Sequence, residues 1–553
     1  MMRRAVRLAL GIALALLGVC RVEVAFAAPQ SMVAAAHPLA VEAGLEVLRR
    51  GGSAVDAAVA VQMVLGVVEP QASGLGGGGF LLHYDAATRA ITVYDGRETA
   101  PAAASATMFL DADGKPLDFR DAIASGISVG VPGVVAMLEM AHREHGKLAW
   151  SQLFTPAIEL ARNGFIVSPR LEGWLNLIRT LRDEPALREL YYNEDGTPKK
   201  QGDRVVNPAL ADTMKLVAEQ GARPLQEGPL AEQIVARVQS HVRPGSLSLA
   251  DLANYRPVKR DALCGPYRVW QVCSMPPPSS GGVAILQVLG LLEPFQLAQN
   301  RPNDLRSVHL IAEASRLAFA DRARYLADPG FVAVPVAGLL SPSYLAERRK
   351  LISLEQSMGR LGAAAAGYVE RGTTHITIVD RSGNAVSFTT TIEAPFGAQM
   401  MVGGFPLNNE LTDFTARPDI DGRQVANKVE GGKRPRSSMS PTFVLDRERR
   451  LVLAVGSAGG ARIIGDTLHA LIGMLDWNLS PQAAIDQPRV HNLNGPTELE
   501  DRGALPAQAD GLRALGHQVQ VARHGGGLSA IRRIDGGWEG GADPRRDGTA
   551  RGE

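Results

Sequence analysis

Residues 371–393 read Arg-Gly-Thr-Thr-His-Ile-Thr-Ile-Val-Asp-Arg-Ser-Gly-Asn-Ala-Val-Ser-Phe-Thr-Thr-Thr-Ile-Glu and predict a β-hairpin. Residues 373–380 alternate polar and apolar side chains, and residues 384–393 are rich in β-branched ones, as half-buried strands require. Residues 381–383 form a three-residue loop that ends in Gly, which is a common hairpin connection. The whole stretch is therefore expected to form two neighbouring strands of one sheet.

The loop also sets the pairing of the two strands. If Asp380 and Asn384 flank it, Thr373 lies directly opposite Thr391. Side chains opposite one another are roughly 5 Å apart at Cβ, close enough for two hydroxyls to hydrogen-bond. Cross-strand threonine pairs also stabilise sheets without any chemistry, so the hairpin alone leaves both interpretations open.

Length and charge set broad limits on the protein. A chain of 553 residues can form several domains or one large sandwich with insertions. Its 58 basic and 57 acidic residues nearly balance, which argues against nucleic acid or another polyanion as the partner.

The N-terminus, residues 1–27, is interpreted as a signal peptide. Positive charge at residues 1–7 precedes the apolar run 8–19, and Ala25-Phe-Ala27 forms a small-x-small cleavage site. Cys20 raises the alternative of a lipid anchor, but Val19 before it is larger than such signals prefer. Export to the periplasm or secretion is expected, and no later apolar run is long enough to span a membrane.

Two cysteines, Cys264 and Cys273, follow the signal peptide and lie in a stretch that predicts a short hairpin. An even pair in an exported protein allows a disulfide, and two buried thiols are the alternative. The sequence shows no histidines clustered with them, so no zinc or other metal site is expected.

Two glycine-rich stretches differ in what they indicate. Residues 73–80 satisfy G-x-G-x-x-G, but this run follows a predicted helix and opens a strand, the reverse of a dinucleotide site. No cofactor is expected. Residues 456–462 end a strand and precede a helix, an arrangement in which backbone N–H groups can hold an anion or oxyanion.

The remaining chain is expected to be α+β. Residues 32–70 are predicted to be helical, 120–330 mainly helical, and 415–436 a polar loop. Residues 352–370 are expected to be irregular up to the hairpin. Arg97, at the end of a predicted strand, is a candidate anion ligand, with a surface salt bridge as the alternative.

Several motifs in this order resemble the gamma-glutamyltranspeptidases, members of the N-terminal nucleophile hydrolases, over roughly residues 32–548. The motifs are Glu69 to Phe80, Met275 to Gly282, Thr373-Thr-His375, Leu407 to Phe414, Arg434 to Pro441, Gly456 to Arg462 and Gly541 to Arg545.

The resemblance implies a four-layer αββα sandwich with a helical portion in the large subunit. It also implies self-cleavage between Gly372 and Thr373. Residues 28–372 would form the large subunit and residues 373–553 the small one, and the two would remain together as a heterodimer.

The resemblance further implies the catalytic roles. Thr373 would attack the γ-amide carbonyl, with its freed α-amino group, of reference pKa near 7.7–8.0, as the base. Thr391 would hydrogen-bond the nucleophile, and the N–H groups of Gly459 and Gly460 would hold the oxyanion. His375 is read as structural.

The same resemblance assigns the substrate head group. Arg97, Ser437 and Ser438 would bind the α-carboxylate, and Glu410 and Asp413 the α-ammonium. Glu393 stands where well-known members carry Asn, and the loop between Asp413 and Ser437 is short and has no Tyr. These departures favour hydrolysis over transfer to an amino acid or dipeptide.

The function expected is therefore an exported, self-processing γ-glutamyl hydrolase or transferase that cleaves glutathione-like small molecules. The alternative within the family is an amidase of the glutaryl- or cephalosporin-acylase type. A non-catalytic relative is the third reading, and the intact Gly372-Thr373 junction argues against it.

Overall fold

The computed structural model describes residues 28–362 and 372–553. The expected signal peptide, residues 1–27, lies outside the described residues, as does the 363–371 part of the stretch expected to be irregular. Within the described part, no helix is both long and apolar enough to cross a membrane.

The described strands are numbered in chain order: β1 Met32–Ala35, β2 Gly78–Tyr84, β3 Ile91–Asp95, β4 Phe165–Ile166, β5 Arg204–Val205, β6 Val258–Asp261, β7 Leu263–Tyr267, β8 Trp270–Ser274, β9 Gly372–Val379, β10 Ala385–Glu393, β11 Met401–Val402, β12 Phe405–Pro406, β13 Asp419–Ile420, β14 Arg423–Gln424, β15 Thr442–Leu445, β16 Leu451–Gly456, β17 Val490–Asn492, β18 Thr497–Glu500, β19 Val519–Ala522, β20 Ser529–Ile534, β21 Gly537–Ala542 and β22 Thr549–Gly552.

The described α-helices are α1 Pro38–Arg49, α2 Ala54–Val68, α3 Phe119–Ile123, α4 Val134–His145, α5 Thr155–Asn163, α6 Pro169–Leu177, α7 Pro185–Tyr191, α8 Pro208–Gln220, α9 Arg223–Gln226, α10 Pro229–Gln239, α11 Leu249–Asn254, α12 Gly281–Leu292, α13 Leu305–Tyr325, α14 Val336–Leu339, α15 Pro342–Arg349, α16 Ile463–Leu475, α17 Pro481–Asp486 and α18 Ala509–Ala514.

Two antiparallel sheets pack face to face. The first has the strand order β22-β1-β9-β10-β2-β3-β6 and the second β21-β20-β16-β15-β8-β7. Side chains alternate across each strand: Met32 and Ala34 of β1 join the core between the sheets, whereas Val33 and Ala35 join the core under the helices. The hairpin β9–β10 lies at the centre of the first sheet.

Helices cover the outer faces of both sheets. Helices α1 and α2 pack on the first sheet, and α12, α16 and α17 on the second. Helix α2 begins at Ser53, whose side chain and that of Asp56 form a capping box, and all its residues are buried. The expected αββα sandwich is therefore present, and α4 to α11 supply the expected helical portion.

Two local predictions were wrong. Residues 32–35, expected to be helical, form β1, because β9 and β22 pair with this segment from both sides. The polar loop expected over 415–436 contains the short hairpin β13–β14.

Cys264 and Cys273 face each other across β7 and β8 and form a disulfide, so the structure does not contain the alternative pair of thiols.

Candidate active site

Thr373 and Thr391 face each other across the β9–β10 hairpin, in the register that the sequence predicts. Their Oγ1 atoms lie 3.2 Å apart, and both side chains are buried. His375, two residues along β9 on the same face, packs directly on Gly456 of the second sheet. Thr373 therefore points into the space between the two sheets.

The hydroxyl of Thr391 is fully engaged. It donates to the carbonyl oxygen of Gly372 at 2.8 Å and accepts from the Glu393 N–H at 2.8 Å. A hydroxyl has one proton and two acceptor positions, so the Thr373 hydroxyl must be the donor in the pair. Glu393 reaches this contact with a φ of 75° where the pairing of β10 becomes irregular.

Gly459 and Gly460 lie in the turn between β16 and α16, as the sequence predicts. Their φ angles of 126° and 65° favour glycine. Within the described residues, neither N–H donates a hydrogen bond to another group. Ser457 just before the turn donates to Asp466 of α16 at 3.1 Å, which ties the strand to the helix. The turn therefore presents two fixed N–H donors.

Arg97 is fully buried at the end of β3, so the alternative of a surface salt bridge is wrong. Its Nη1 pairs with Glu410 and its Nη2 with Asp413. Nε donates to the carbonyl oxygen of Pro435 at 3.1 Å, and Nη2 to that of Arg436 at 3.2 Å. Residues expected to bind opposite charges of one head group are thus paired with each other.

Carboxyl groups outnumber the guanidinium in this pocket. Glu98 Oε2 lies 3.8 Å from Arg97 Nη1, and both Glu98 oxygens lack a hydrogen-bond partner among the described residues. Burial raises the pKa of Glu98 to about 8 against the opposing effect of Arg97. Burial also raises the pKa of Glu393 and Glu410 well above the ordinary range. The carboxyl groups of this pocket therefore either stay protonated or ionise when a cation binds beside them.

Ser437 and Ser438 are both buried beside this pocket, next to Arg436. Ser437 Oγ accepts from the Met439 N–H at 3.1 Å, and Ser438 Oγ accepts from Arg322 Nη2 at 2.8 Å. Arg322 lies in the last turn of α13, more than a hundred residues before the serines in sequence, and no local pattern marks it.

Two further residues escaped the sequence interpretation although motifs surround or adjoin them. Asn409 donates from Nδ2 to Glu393 Oε2, and its Oδ1 accepts from the Ala394 N–H at 2.8 Å. Arg546 donates from Nη1 to the carbonyl oxygen of Thr373 at 2.6 Å. Asn409 lies inside the 407–414 motif and Arg546 directly follows the 541–545 motif, so position in a motif was the available signal.

His375 has a partner other than Thr373. Its Nδ1 lies 2.8 Å from Thr389 Oγ1, and burial lowers its pKa to about 3. The ring is therefore neutral at physiological pH. No group of His, Cys, Asp and Glu in the described ranges is arranged to hold a metal ion.

Comparison with known proteins places this arrangement in a family. The model of the family described as Gamma-glutamyltranspeptidase matches residues 40–553. The chain belongs to this family. The family is one of enzymes, and both the resemblance stated from the motifs and the αββα fold are confirmed.

Individual proteins are similar to this gamma-glutamyltranspeptidase family member over nearly its whole length. A glutathione hydrolase proenzyme of Bacillus subtilis is 39% identical over 541 residues, covering 94% of this chain and 91% of that protein. The Acylase ACY 1 proenzyme of a Pseudomonas species is 38% identical, covering 94% and 93%. A cephalosporin acylase structure from Bacillus halodurans superposes with a TM-score of 0.85 at 28% identity, covering 95% and 96%.

Proposed function

We propose that this protein is an exported, self-processing γ-glutamyl hydrolase or transferase that acts on glutathione-like compounds through a γ-glutamyl ester of Thr373. The observation that carries the proposal is the hydrogen bond from the Thr373 hydroxyl to the Thr391 hydroxyl, which itself donates to the carbonyl oxygen of Gly372. Gly372 is the residue directly before Thr373. The proenzyme names of both relatives support processing of a precursor.

Self-processing follows from the position of Gly372. Thr373 Oγ1 attacks the carbonyl carbon of Gly372, and the Thr391 hydroxyl donates to the oxygen on which negative charge develops. As the ester forms, the C–N bond breaks and the hydroxyl proton of Thr373 passes to its own nitrogen, which becomes the free amine. Water then hydrolyses the ester. The products are a large subunit of residues 28–372 and a small subunit of residues 373–553 with a free amine at Thr373.

That amine acts as the base of the catalytic cycle. It takes the proton of the Thr373 hydroxyl during attack on the γ-carbonyl carbon and gives it to the leaving amine. The N–H groups of Gly459 and Gly460 hold the oxyanion. Water, or an amino acid or dipeptide acceptor, then attacks the ester and regenerates Thr373.

A zwitterionic head group fits the charges of the pocket. Arg97, Ser437 and Ser438 bind its α-carboxylate. The α-ammonium group binds Glu410, Asp413 and Glu393. In the free protein Arg97 pairs with the carboxylates of Glu410 and Asp413. On binding, Arg97 pairs instead with the α-carboxylate of the ligand, and the carboxylates pair with its α-ammonium group.

A glutaryl- or cephalosporin-acylase activity is the second candidate. The similarity to Acylase ACY 1 and to the cephalosporin acylase structure favours it. Such donors lack the α-ammonium group, and the raised pKa values of Glu393 and Glu410 suit a pocket whose carboxyl groups stay neutral. Relative rates on γ-glutamyl and glutaryl anilides separate the two functions.

The test of the proposal begins with denaturing electrophoresis of the purified protein. Two fragments are expected, the smaller beginning Thr-Thr-His and the larger having the mass of residues 28–372. Thr373→Ala is expected to remain one inactive chain. An intact wild-type chain, or full hydrolysis by Thr373→Ala, would refute the proposal.

A further inference from the structure

Arg322 is hydrogen-bonded to two serine side chains beside the carboxylate-binding pair. Its Nη2 donates to Ser438 Oγ and its Nε to Ser280 Oγ, each at 2.8 Å. Ser280 Oγ in turn donates to the carbonyl oxygen of Ser437 at 2.6 Å. One guanidinium therefore contacts Ser438 directly and reaches the backbone of Ser437 through Ser280.

The proton count of these hydroxyls determines where they can donate. Each hydroxyl has one proton and two acceptor positions. Ser438 accepts from Arg322, and Ser437 accepts from the Met439 N–H. In the described ranges neither hydroxyl donates to another group of the protein, and both side chains are buried. Each of these two adjacent, buried hydroxyls therefore has a proton with no acceptor among the described residues.

Arg322 brings a second guanidinium to this region, beside that of Arg97. Two carboxylates, those of Glu410 and Asp413, pair with the guanidinium of Arg97. A charged donor makes the hydroxyl that accepts from it a stronger donor in its turn, because bonds in a chain polarise one another.

The surroundings fix the position of Arg322. Its guanidinium lies 5.5 Å from the centre of the Phe319 ring, one turn earlier in α13. Its carbonyl oxygen accepts from Arg436 Nη1 at 3.1 Å, and Arg436 directly precedes Ser437. The end of α13 and the serine segment are thus joined by backbone and side-chain bonds.

We infer that Arg322 is a positioning residue for donor recognition: it turns the hydroxyl proton of Ser438 toward the α-carboxylate of the acyl donor and holds the backbone of Ser437 in place through Ser280. The inference rests on the proposed function only in needing a carboxylate on the donor. Both γ-glutamyl and glutaryl donors carry that carboxylate, so it holds for either activity.

The test compares kcat/KM on anilides that differ in one group. The γ-glutamyl anilide carries both the carboxylate and the ammonium, the glutaryl anilide only the carboxylate, and the γ-aminobutyryl and butyryl anilides lack the carboxylate. Arg322→Met is expected to lower kcat/KM on the first two by about 10- to 100-fold, mainly through KM, because a charge-assisted contact is lost. The other two anilides should change by less than about 3-fold.

Matched variants separate recognition from folding. Arg324→Met removes an exposed arginine from the same helical turn and should leave all rates unchanged. Ser438→Ala should reproduce the substrate pattern of Arg322→Met, and the double variant should lose little more than either alone. Arg322→Lys should recover part of the loss because the charge remains.

The outcomes distinguish this inference from the proposed function. An equal loss on all four anilides, or additive effects of Arg322→Met and Ser438→Ala, would overturn the inference and assign Arg322 to the fold alone. If Arg322→Met does not process or fold, Ser438→Ala and Arg322→Lys are compared with the wild type instead. The quantity compared is again the ratio of kcat/KM on the anilides that carry the carboxylate to kcat/KM on those that lack it. Failure of the wild type to process or to cleave any carboxylate-bearing anilide would instead refute the proposed function.

Discussion

Arg546 holds the carbonyl oxygen of Thr373, with its Nη1 2.6 Å from that oxygen. Its Nε donates to the carbonyl oxygen of Gly526, so one guanidinium bridges β9 and the segment before β20. Thr373, the proposed nucleophile, is therefore held through its own backbone as well as through Thr391.

Replacing Arg546 should shift Thr373, because the bond to its carbonyl oxygen is lost. Arg546→Met removes charge-assisted bonds worth about 1.5–3 kcal/mol each, and we expect both self-processing and kcat to fall by about 10-fold or more with KM little changed. Electrophoresis over time and steady-state kinetics measure the two effects. Arg551→Met, at an exposed position of β22, is the control, and equal rates in both variants would contradict the prediction.

The Thr391 hydroxyl should control processing. It is the donor to the carbonyl oxygen of Gly372, so Thr391→Val is expected to slow self-cleavage by about 100-fold, the typical cost of one lost oxyanion donor. Thr391→Ser keeps the hydroxyl and should process within about 10-fold of wild type. The fraction of intact precursor after expression and incubation is the measurement. Normal processing of Thr391→Val would show that another group activates Gly372.

Glu98 should make stability depend on pH. Its pKa is raised to about 8 in the folded protein, above the value of an exposed carboxyl, so the folded state binds the proton more tightly. The stability gained is complete at acid pH and is lost as pH rises toward 8. Glu98→Gln should flatten this decline. The difference in Tm between the variant and the wild type should be about 1–3 °C more favourable to the variant at pH 8.5 than at pH 5. Glu159→Gln, on the exposed face of α5, should show the wild-type slope.

Glu393 should set the preference between donor classes. Its pKa is raised mainly by burial and further by Asp413 and Glu410, and an α-ammonium group would oppose this by favouring the ionised form. Glu393→Gln should therefore lower kcat/KM on the γ-glutamyl anilide by about 10-fold and leave the glutaryl anilide nearly unchanged. The same loss on both anilides would contradict this role of the Glu393 side chain.

The disulfide between Cys264 and Cys273 should contribute to stability. It closes a short loop with a sequence separation of 9, and loop-closure entropy gives about 2–3 kcal/mol for a loop of this size. A Cys264→Ser, Cys273→Ser double variant should unfold at lower denaturant concentration than wild type. Reduction of the wild type with a thiol should reproduce the shift, and an unchanged midpoint would contradict the prediction.

The sequence predicted features that depend on neighbouring residues. The 381–383 loop and the strand alternation around it sufficed for the register that brings Thr373 to Thr391. The glycines at 459 and 460 marked a strand-to-helix turn for the same local reason. Strand β1 was not predicted because its four residues carry no strand signal, and its partner β22 lies more than 500 residues away.

Side-chain pairing across the fold was equally beyond local patterns. The family resemblance placed Arg97, Glu410 and Asp413 in one pocket but did not predict their direct contacts with one another. Arg322 reads as one more arginine at the end of a helix until the fold sets it against Ser438.

The strand order of the first sheet has a consequence for the protein if it is cut after Gly372 as proposed. Strand β1 of the large piece is inserted between β22 and β9 of the small piece, and β10 of the small piece is followed by β2 of the large one. Neither piece by itself retains the whole of the first sheet. The proposed cleavage is therefore expected to leave the folded state intact, whereas refolding would change from a unimolecular to a bimolecular reaction that slows on dilution. The stability of the cleaved protein is therefore expected to be kinetic: it depends on a slow rate of unfolding, because the separated pieces reassociate inefficiently.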